Sequence, residues 1–262
     1  MTVFTDLTNK RDFMIKVSVM YPKLLQHLGF KALASTRAGF AFSQGRSDPS
    51  VQTQEMLGHL SELAQSTDLP ISADLKSGFG HTPEDAARTI LEAANTGIVG
   101  GSIEDASGDD ADPIYDIGLA VERIQSAVAA AKSLDFKFML TARAENYFYG
   151  RADIKDTIRR LQAYQEAGAD VLFAPGIQSR DDIKAILQSI DRPLNVMMGL
   201  QGVRLTVAEL QELGVVRISL GGSLARAAYG ALVRAAKEVQ IAGTFSYTSE
   251  AISGKELNSI FS

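Results

Sequence analysis

The 262-residue chain carries 26 Lys+Arg against 31 Asp+Glu, a formal net charge of −5, with 45% hydrophobic and 22% charged residues. Mild acidity without any basic run argues against an electrostatic grip on nucleic acid, and zero cysteines exclude disulfides, thiolate metal ligands and a cysteine nucleophile. No run approaches the ~18 consecutive apolar residues of a membrane span, and the opening MTVFTDLTNKRDF has no apolar h-region, so the expectation is a soluble, cytoplasmic protein with no membrane partner.

Short β-branched apolar runs recur along the chain at 13–20 (FMIKVSVM), 31–36 (KALAST), 70–75 (PISADL), 99–105 (VGGSIED), 137–143 (KFMLTAR), 170–175 (DVLFAP), 194–198 (LNVMM) and 217–221 (RISLG). Segments with helical spacing lie between them. In 113–134, for example, Ile117, Leu119, Ala120, Val121, Ile124 and Val128 fall on one face. Pro83 after Thr82 and Pro113 after Asp112 read as first-turn prolines behind N-caps. Gly29, Gly97, Gly168 and Gly214 read as helix terminators ahead of strands. Eight β-then-α units, roughly 25–35 residues apart and without a linker, predict a parallel sheet closed into a barrel. Because the count alone signals closure, an open α/β sheet is the alternative. The expected organisation is an α/β fold, a single (β/α)8 TIM-type barrel over 1–242 followed by a C-terminal tail over 243–262. A short helix is predicted at 255–261, with Phe245, Leu257, Ile260 and Phe261 docking on the barrel or on a neighbouring subunit.

In such a barrel, reactive groups sit at the C-terminal ends of the strands. Those positions hold Ser35, Thr36 and Arg37, then Asp74 and Lys76, Glu104 and Asp105, and Arg143, Glu145 and Asn146. Asp74 and Glu104 end adjacent predicted strands, an arrangement that supplies one or two oxygen ligands to Mg2+ or, equally, caps the following helices or pairs with Arg143. Arg143 ends an apolar run and either holds a substrate carboxylate in bidentate fashion or clamps those acids. Glu145 is placed to orient Arg143 or to act as a base. Gly78-Phe79-Gly80 and Gly221-Gly222-Ser223 allow close backbone approach to a ligand or simply make tight turns. His81 stands beside the first of these turns, and the acidic segment 106–112 is a loop over the expected mouth.

The runs SADLKSGFG, SIEDASGD, TARAENYFYGR, AGADVLFAPG and RISLGGSLARAA, in this order, resemble the isocitrate lyase/phosphoenolpyruvate mutase superfamily over roughly 29–261. The resemblance implies a (β/α)8 barrel that binds Mg2+ and 2-oxo or 2-hydroxy acids. It also implies cleavage or formation of a C–C or P–C bond through an enolpyruvate-like intermediate, and assembly as a homo-dimer or homo-tetramer. Carried onto this sequence, it makes Asp74 the metal-ligating Asp and Glu104 the acid that holds metal-bound water. Arg143 becomes the arginine facing the substrate, and Ser35, Thr36 and Arg37 the segment cradling a carboxylate. Asp48, in GRSD, becomes an acid near the reacting centre.

The sequence also departs from that pattern. Where lyases of the superfamily carry a Cys-containing K-K/R-C-G-H loop, this chain reads ASGDDADP, which points to decarboxylation by elimination. Lys76 stands where relatives place Asp or Glu, Arg37 where Ser or Gly is usual, and MIKVSVM where P-N-x-W-D is usual. An ammonium roughly 5 Å from Mg2+ opposes it by a few kcal/mol at an effective dielectric near 20. Lys76 and Arg37 are therefore also candidates for gripping a carboxylate without metal. The expected function is a Mg2+-dependent carbon–carbon lyase, oxaloacetate decarboxylase-like, acting on a small 2-oxo or 2-hydroxy carboxylic acid. Arg143, Asp48 and Glu145 would be catalytic, Ser35, Thr36, Arg37, Lys76 and Asn146 would bind substrate, and Asp74 and Glu104 would hold metal. The alternatives are P–C bond chemistry on a phosphonopyruvate-type acid and a non-catalytic carboxylate-binding barrel.

Overall fold

The computed structural model describes residues 14–18, 21–199 and 205–262. Eight strands, β1 (Met14–Ser18), β2 (Leu33–Ala34), β3 (Ile71–Asp74), β4 (Gly100–Glu104), β5 (Met139–Arg143), β6 (Val171–Phe173), β7 (Leu194–Met197) and β8 (Arg217–Ser219), follow one another around a closed barrel. Every pairing is parallel, and β1 closes the ring by pairing Met14 with Arg217 and Lys16 with Ser219. The predicted barrel is thus present. Phe13, Val19 and Met20 of the first predicted strand lie outside the described residues.

Strand alternation sorts the side chains by chemistry. Ile71, Ala73, Ile103, Leu140, Ala142, Leu172, Val196 and Ile218 are buried and pack with helix residues such as Leu60, Ile90, Ile124, Leu161, Ile186 and Leu210 in one core. The intervening positions Ser72, Ser102, Thr141, Asn195, Arg217 and Ser219 line a cavity inside the barrel instead. Barrel interiors are usually filled by branched aliphatic side chains. Here small hydroxyl side chains leave the upper lumen open.

Local signals fix several helix starts. Before the Pro83–Ala94 helix, Thr82 Oγ1 accepts from Asp85 N while Asp85 Oδ2 accepts from Thr82 N at 3.0 Å, a reciprocal cap with Pro83 in the first turn. Pro113 does not play the same part. The next helix runs Ile117–Lys132 and is capped by Asp116, whose Oδ1 accepts from Gly118 N and Leu119 N. Pro113 lies in the returning arm of an excursion instead, its carbonyl accepting from Ser107 N at 2.9 Å beside an antiparallel bridge between Ala106 and Ile114. Tertiary hydrogen bonding of the backbone outweighs the local proline signal there.

The last helix runs Gly254–Phe261 and packs on the Pro22–His27 helix, with Lys23 Nζ donating to the Phe261 carbonyl at 3.0 Å and the Tyr21 and Phe261 rings 6.2 Å apart. Phe245 does not dock on this chain and stays 62% exposed. Among the described residues, no helix is long and apolar enough to cross a membrane.

Candidate active site

Arg143 is the hub of the barrel mouth. Its Nε donates to Glu145 Oε1 at 2.8 Å and its Nη1 to Asp74 Oδ1 at 3.0 Å, while Nη2 lies 2.7 Å from Glu145 Oε1 and 3.1 Å from Glu104 Oε2. Three strand ends converge here because Asp74 closes β3, Glu104 closes β4, and Arg143 pairs in register with Glu104 at the end of β5. The Phe173 ring lies under the guanidinium, 5.1 Å from it. Burial opposes the charge on Arg143, but Glu145, Glu104 and Asp74 outweigh it and keep the side chain firmly cationic. Burial pushes Glu104 above the usual carboxylate range and Glu145 up to about 8, in each case against the pull of Arg143. Glu104 and Glu145 thus share one buried cation, and the cluster retains a proton near neutrality.

Glu145 is held from behind. Its backbone N–H donates to Asp105 Oδ1 at 2.8 Å, and Asp105 Oδ2 accepts from Tyr164 Oη at 2.6 Å and Arg160 Nη1 at 3.0 Å. Asp105, a strand-end residue by sequence, therefore acts as a support rather than as part of the cavity wall.

A second charged group edges the mouth. Asp48, in the short 3-10 turn Asp48–Ser50, lies 3.6 Å from Arg37 Nη1 and 3.7 Å from Lys76 Nζ. Arg37 Nη2 also donates to the Val51 carbonyl at 2.8 Å. Burial works against the Lys76 charge, but Glu104, Asp74 and Asp48 outweigh it and hold the ammonium above its usual range. Lys76 begins a sharp turn in which it and Phe79 take left-handed backbone angles, φ 52° and 50°, around Gly78 at φ 80°. The turn is pinned by buried Arg123, which donates to the carbonyls of Ser77 and Thr82 and lies over the Tyr115 ring. Thr89 Oγ1 adds a bond to the Gly78 carbonyl at 2.6 Å. His81 meets Tyr115 through Nδ1 at 2.7 Å and does not line the cavity.

The cavity below has a volume of about 210 Å3, and Ser35, Thr36, Asp48, Asp74, Arg143 and Gly222 all line it. Ser35 Oγ accepts from Asp74 N at 3.0 Å, and Thr36 Oγ1 caps the Arg37–Ser43 helix by accepting from Gly39 N at 3.2 Å. Asn146 is placed elsewhere. Its amide is bonded to Thr157 and to the carbonyls of Arg151 and Asp153, where it ties the loop after β5 to the Ile154–Glu166 helix. Strand-end positions alone do not single out Ser72, Ser102, Thr141, Asn195, Arg217 and Ser219. Period-two alternation along each strand is the sequence signal that finds them.

The phosphoenolpyruvate phosphomutase family model matches residues 19–240. The chain belongs to that family. It is an enzyme family of lyases and mutases within the phosphoenolpyruvate mutase/isocitrate lyase superfamily. The fold is very similar to the crystal structure of a Burkholderia cenocepacia J2315 protein provisionally described as a lyase/mutase, with a TM-score of 0.97, 49% identity and coverage of 99% of this chain and 94% of that one. The "Probable 2-methylisocitrate lyase 2" of Corynebacterium glutamicum is 28% identical over 86% of this chain and 75% of its own length. The oxaloacetate decarboxylase of Paraburkholderia xenovorans is 27% identical over 72% of this chain and 65% of its own. Phosphonopyruvate hydrolase, in a complex with oxalate and Mg2+, shares the fold at a TM-score of 0.87 and 23% identity, covering 99% of this chain and 93% of that one.

Proposed function

We propose that this protein is a Mg2+-assisted carbon–carbon lyase acting on a small 2-oxo or 2-hydroxy carboxylic acid through an enolpyruvate-like intermediate, with decarboxylation of oxaloacetate as its reaction. The observation that carries the reading is the convergence of Asp74, Glu104 and Glu145 on Arg143 at the mouth of a polar cavity. Similarity to oxaloacetate decarboxylase and the absence of any cysteine support decarboxylation.

The donor set fits the metal. Asp74 and Glu104 are hard oxygen ligands, and Glu104 Oε2, 3.1 Å from Arg143 Nη2, is buried without accepting a well-formed hydrogen bond. Mg2+ needs only one or two such carboxylates and keeps waters or substrate oxygens in its other positions. Bound there, Mg2+ supplies Lewis-acid stabilisation of negative charge at the 2-oxo group.

This chain's own residues supply the rest. Arg143 stays cationic and offers fixed donors close to where charge develops. Glu145, buried behind Arg143 and outside the cavity lining, orients that guanidinium, and the Asp105 bond fixes its own direction. Asp48 holds Lys76 and Arg37 aside at the rim.

We also propose that the chain assembles as a homo-dimer or homo-tetramer through its C-terminal segment. Leu232, Val233, Ile241 and Phe245 there are exposed and apolar. Light scattering on the purified protein tests this.

The first test of activity is calorimetric titration of oxalate with Mg2+ and then with EDTA, on wild type and Asp74→Ala. Micromolar binding that needs both Mg2+ and Asp74 is expected, with pyruvate released from oxaloacetate in a coupled assay. Absence of oxalate binding under both conditions overturns the lyase reading and leaves the non-catalytic barrel, and turnover of phosphonopyruvate alone moves the activity to P–C chemistry.

A further inference from the structure

One charged group in the cavity takes no part in the proposed chemistry at the mouth. Arg217, on β8, is buried in the barrel and its Nη1 donates to Thr141 Oγ1 on β5 at 2.8 Å. Its Nε has no hydrogen-bond acceptor, and among the described residues no carboxylate lies within ion-pair distance of it. The other buried arginines have more partners, although Arg123 also lacks, among the described residues, a carboxylate and an acceptor for its Nε. Arg143 has three carboxylates, Arg160 has Asp105 and Asp156, and Arg123 has two carbonyls and the Tyr115 ring. Burial pushes Arg217 down to about 9, with no neighbouring charge acting on it, and it stays protonated at neutral pH.

An uncompensated buried cation is expensive to maintain, and its lone hydroxyl partner does not neutralise it. Its surroundings are those of an anion site. Ser72 and Ser219 line the same cavity, and Ser219 Oγ accepts from the Asn195 amide nitrogen at 2.9 Å, which leaves the Ser219 proton free to donate. The mouth above has little positive charge to spare. Arg143 is shared among Asp74, Glu104 and Glu145, while Arg37 and Lys76 flank Asp48.

We infer that Arg217 is the carboxylate anchor of this site. A 2-oxo acid enters the lumen carboxylate first, pairs with Arg217, and presents its 2-oxo oxygen to Arg143, with the departing carboxylate held by neither guanidinium. The anchored group is one the reaction keeps, because pairing with a guanidinium stabilises a carboxylate that would otherwise depart as CO2. The inference rests on the proposed substrate class but not on the metal.

The test is calorimetry of pyruvate and oxalate, each with Mg2+ and with EDTA, on wild type, Arg217→Met and Arg217→Lys, with the melting temperature of each ligand-free protein. Arg217→Met is expected to weaken both acids at least thirtyfold in Mg2+, while its melting temperature stays level or rises. Arg217→Lys is expected to keep part of the affinity, and it carries the same readings should Arg217→Met not fold. Affinities of Arg217→Met within threefold of wild type overturn the inference, as does a lowered melting temperature with affinities unchanged. Oxalate binding that needs Arg217 but ignores Mg2+ and Asp74 overturns the metal-assisted reading alone. Binding that needs Mg2+ and Asp74 but ignores Arg217 overturns the anchor alone, and no binding to the wild type overturns both.

Discussion

Asp105 accepts the backbone N–H of Glu145 at 2.8 Å and through its other oxygen receives Tyr164 and Arg160, so the residue beside Arg143 is oriented by a carboxylate that never lines the cavity. The Asp105→Ala change leaves the buried Arg160 without this partner, a loss of ~3–5 kcal/mol where a buried ion pair is broken. Urea denaturation is expected to show a drop of that order together with weaker oxalate binding. A drop below ~1 kcal/mol, the worth of a single ordinary hydrogen bond, removes Asp105 from this supporting role.

Glu145 gives the stability a definite pH slope. Its folded value of about 8 lies above the ordinary carboxylate value, so between roughly pH 5 and 8 the folded state binds more protons than the unfolded state. Stability therefore falls as pH rises through that window. In Glu145→Gln the fall is expected to be shallower by on the order of 1 kcal/mol or more, since each tenfold gain in proton affinity on folding is worth ~1.4 kcal/mol. Urea midpoints at pH 5 and pH 8 measure it, and a wild-type midpoint that climbs with pH contradicts the raised value.

Lys76 sets metal affinity from the opposite direction. Its ammonium feels Asp74 and Glu104, the two carboxylates proposed to hold Mg2+. At ~5 Å and an effective dielectric near 20, removing it relieves a few kcal/mol of repulsion toward a cation. Lys76→Met is expected to tighten Mg2+-dependent oxalate binding at least tenfold by calorimetry. Weaker binding would identify Lys76 as a ligand-holding group instead.

Arg123 holds the turn that carries Lys76. Replacing it with Met keeps much of the apolar stem and removes the bonds to the Ser77 and Thr82 carbonyls. A stability loss of ~1–3 kcal/mol is expected from leaving buried carbonyls unpaired. Hydrogen exchange at Gly78, whose N–H is bonded to the Leu75 carbonyl, is expected to accelerate before global unfolding does. Unchanged exchange there shows that the left-handed turn holds itself.

The barrel is legible in the sequence because its signals are local and repeated. Each of the eight apolar runs meets its strand, and Pro83 announces its helix together with the Thr82 cap. Pro113 misleads because the Ala106–Ile114 bridge and the Ser107 bond, invisible to a local reading, place it in a hairpin-like return. The strand-end rule brings Asp74, Glu104, Arg143 and Glu145 to one point, but it also suggests Asn146, which the structure uses within its own loop. Arg217 stays hidden for a different reason. It opens the last strand rather than closing it, and only the closed ring shows that its head reaches Thr141 from the opposite wall.

The hydroxyl lining of the lumen has a consequence for how this barrel can change. Ser72, Ser102 and Ser219 occupy positions where most barrels of this architecture carry valine or isoleucine, so apolar volume can be added there without disturbing the packed outer layer. Selection for heat resistance alone would fill those three positions first and close the lumen. Their persistence as serines in a thermally selected library would show that occupancy of the lumen, and not rigidity, is what the sequence is being kept for.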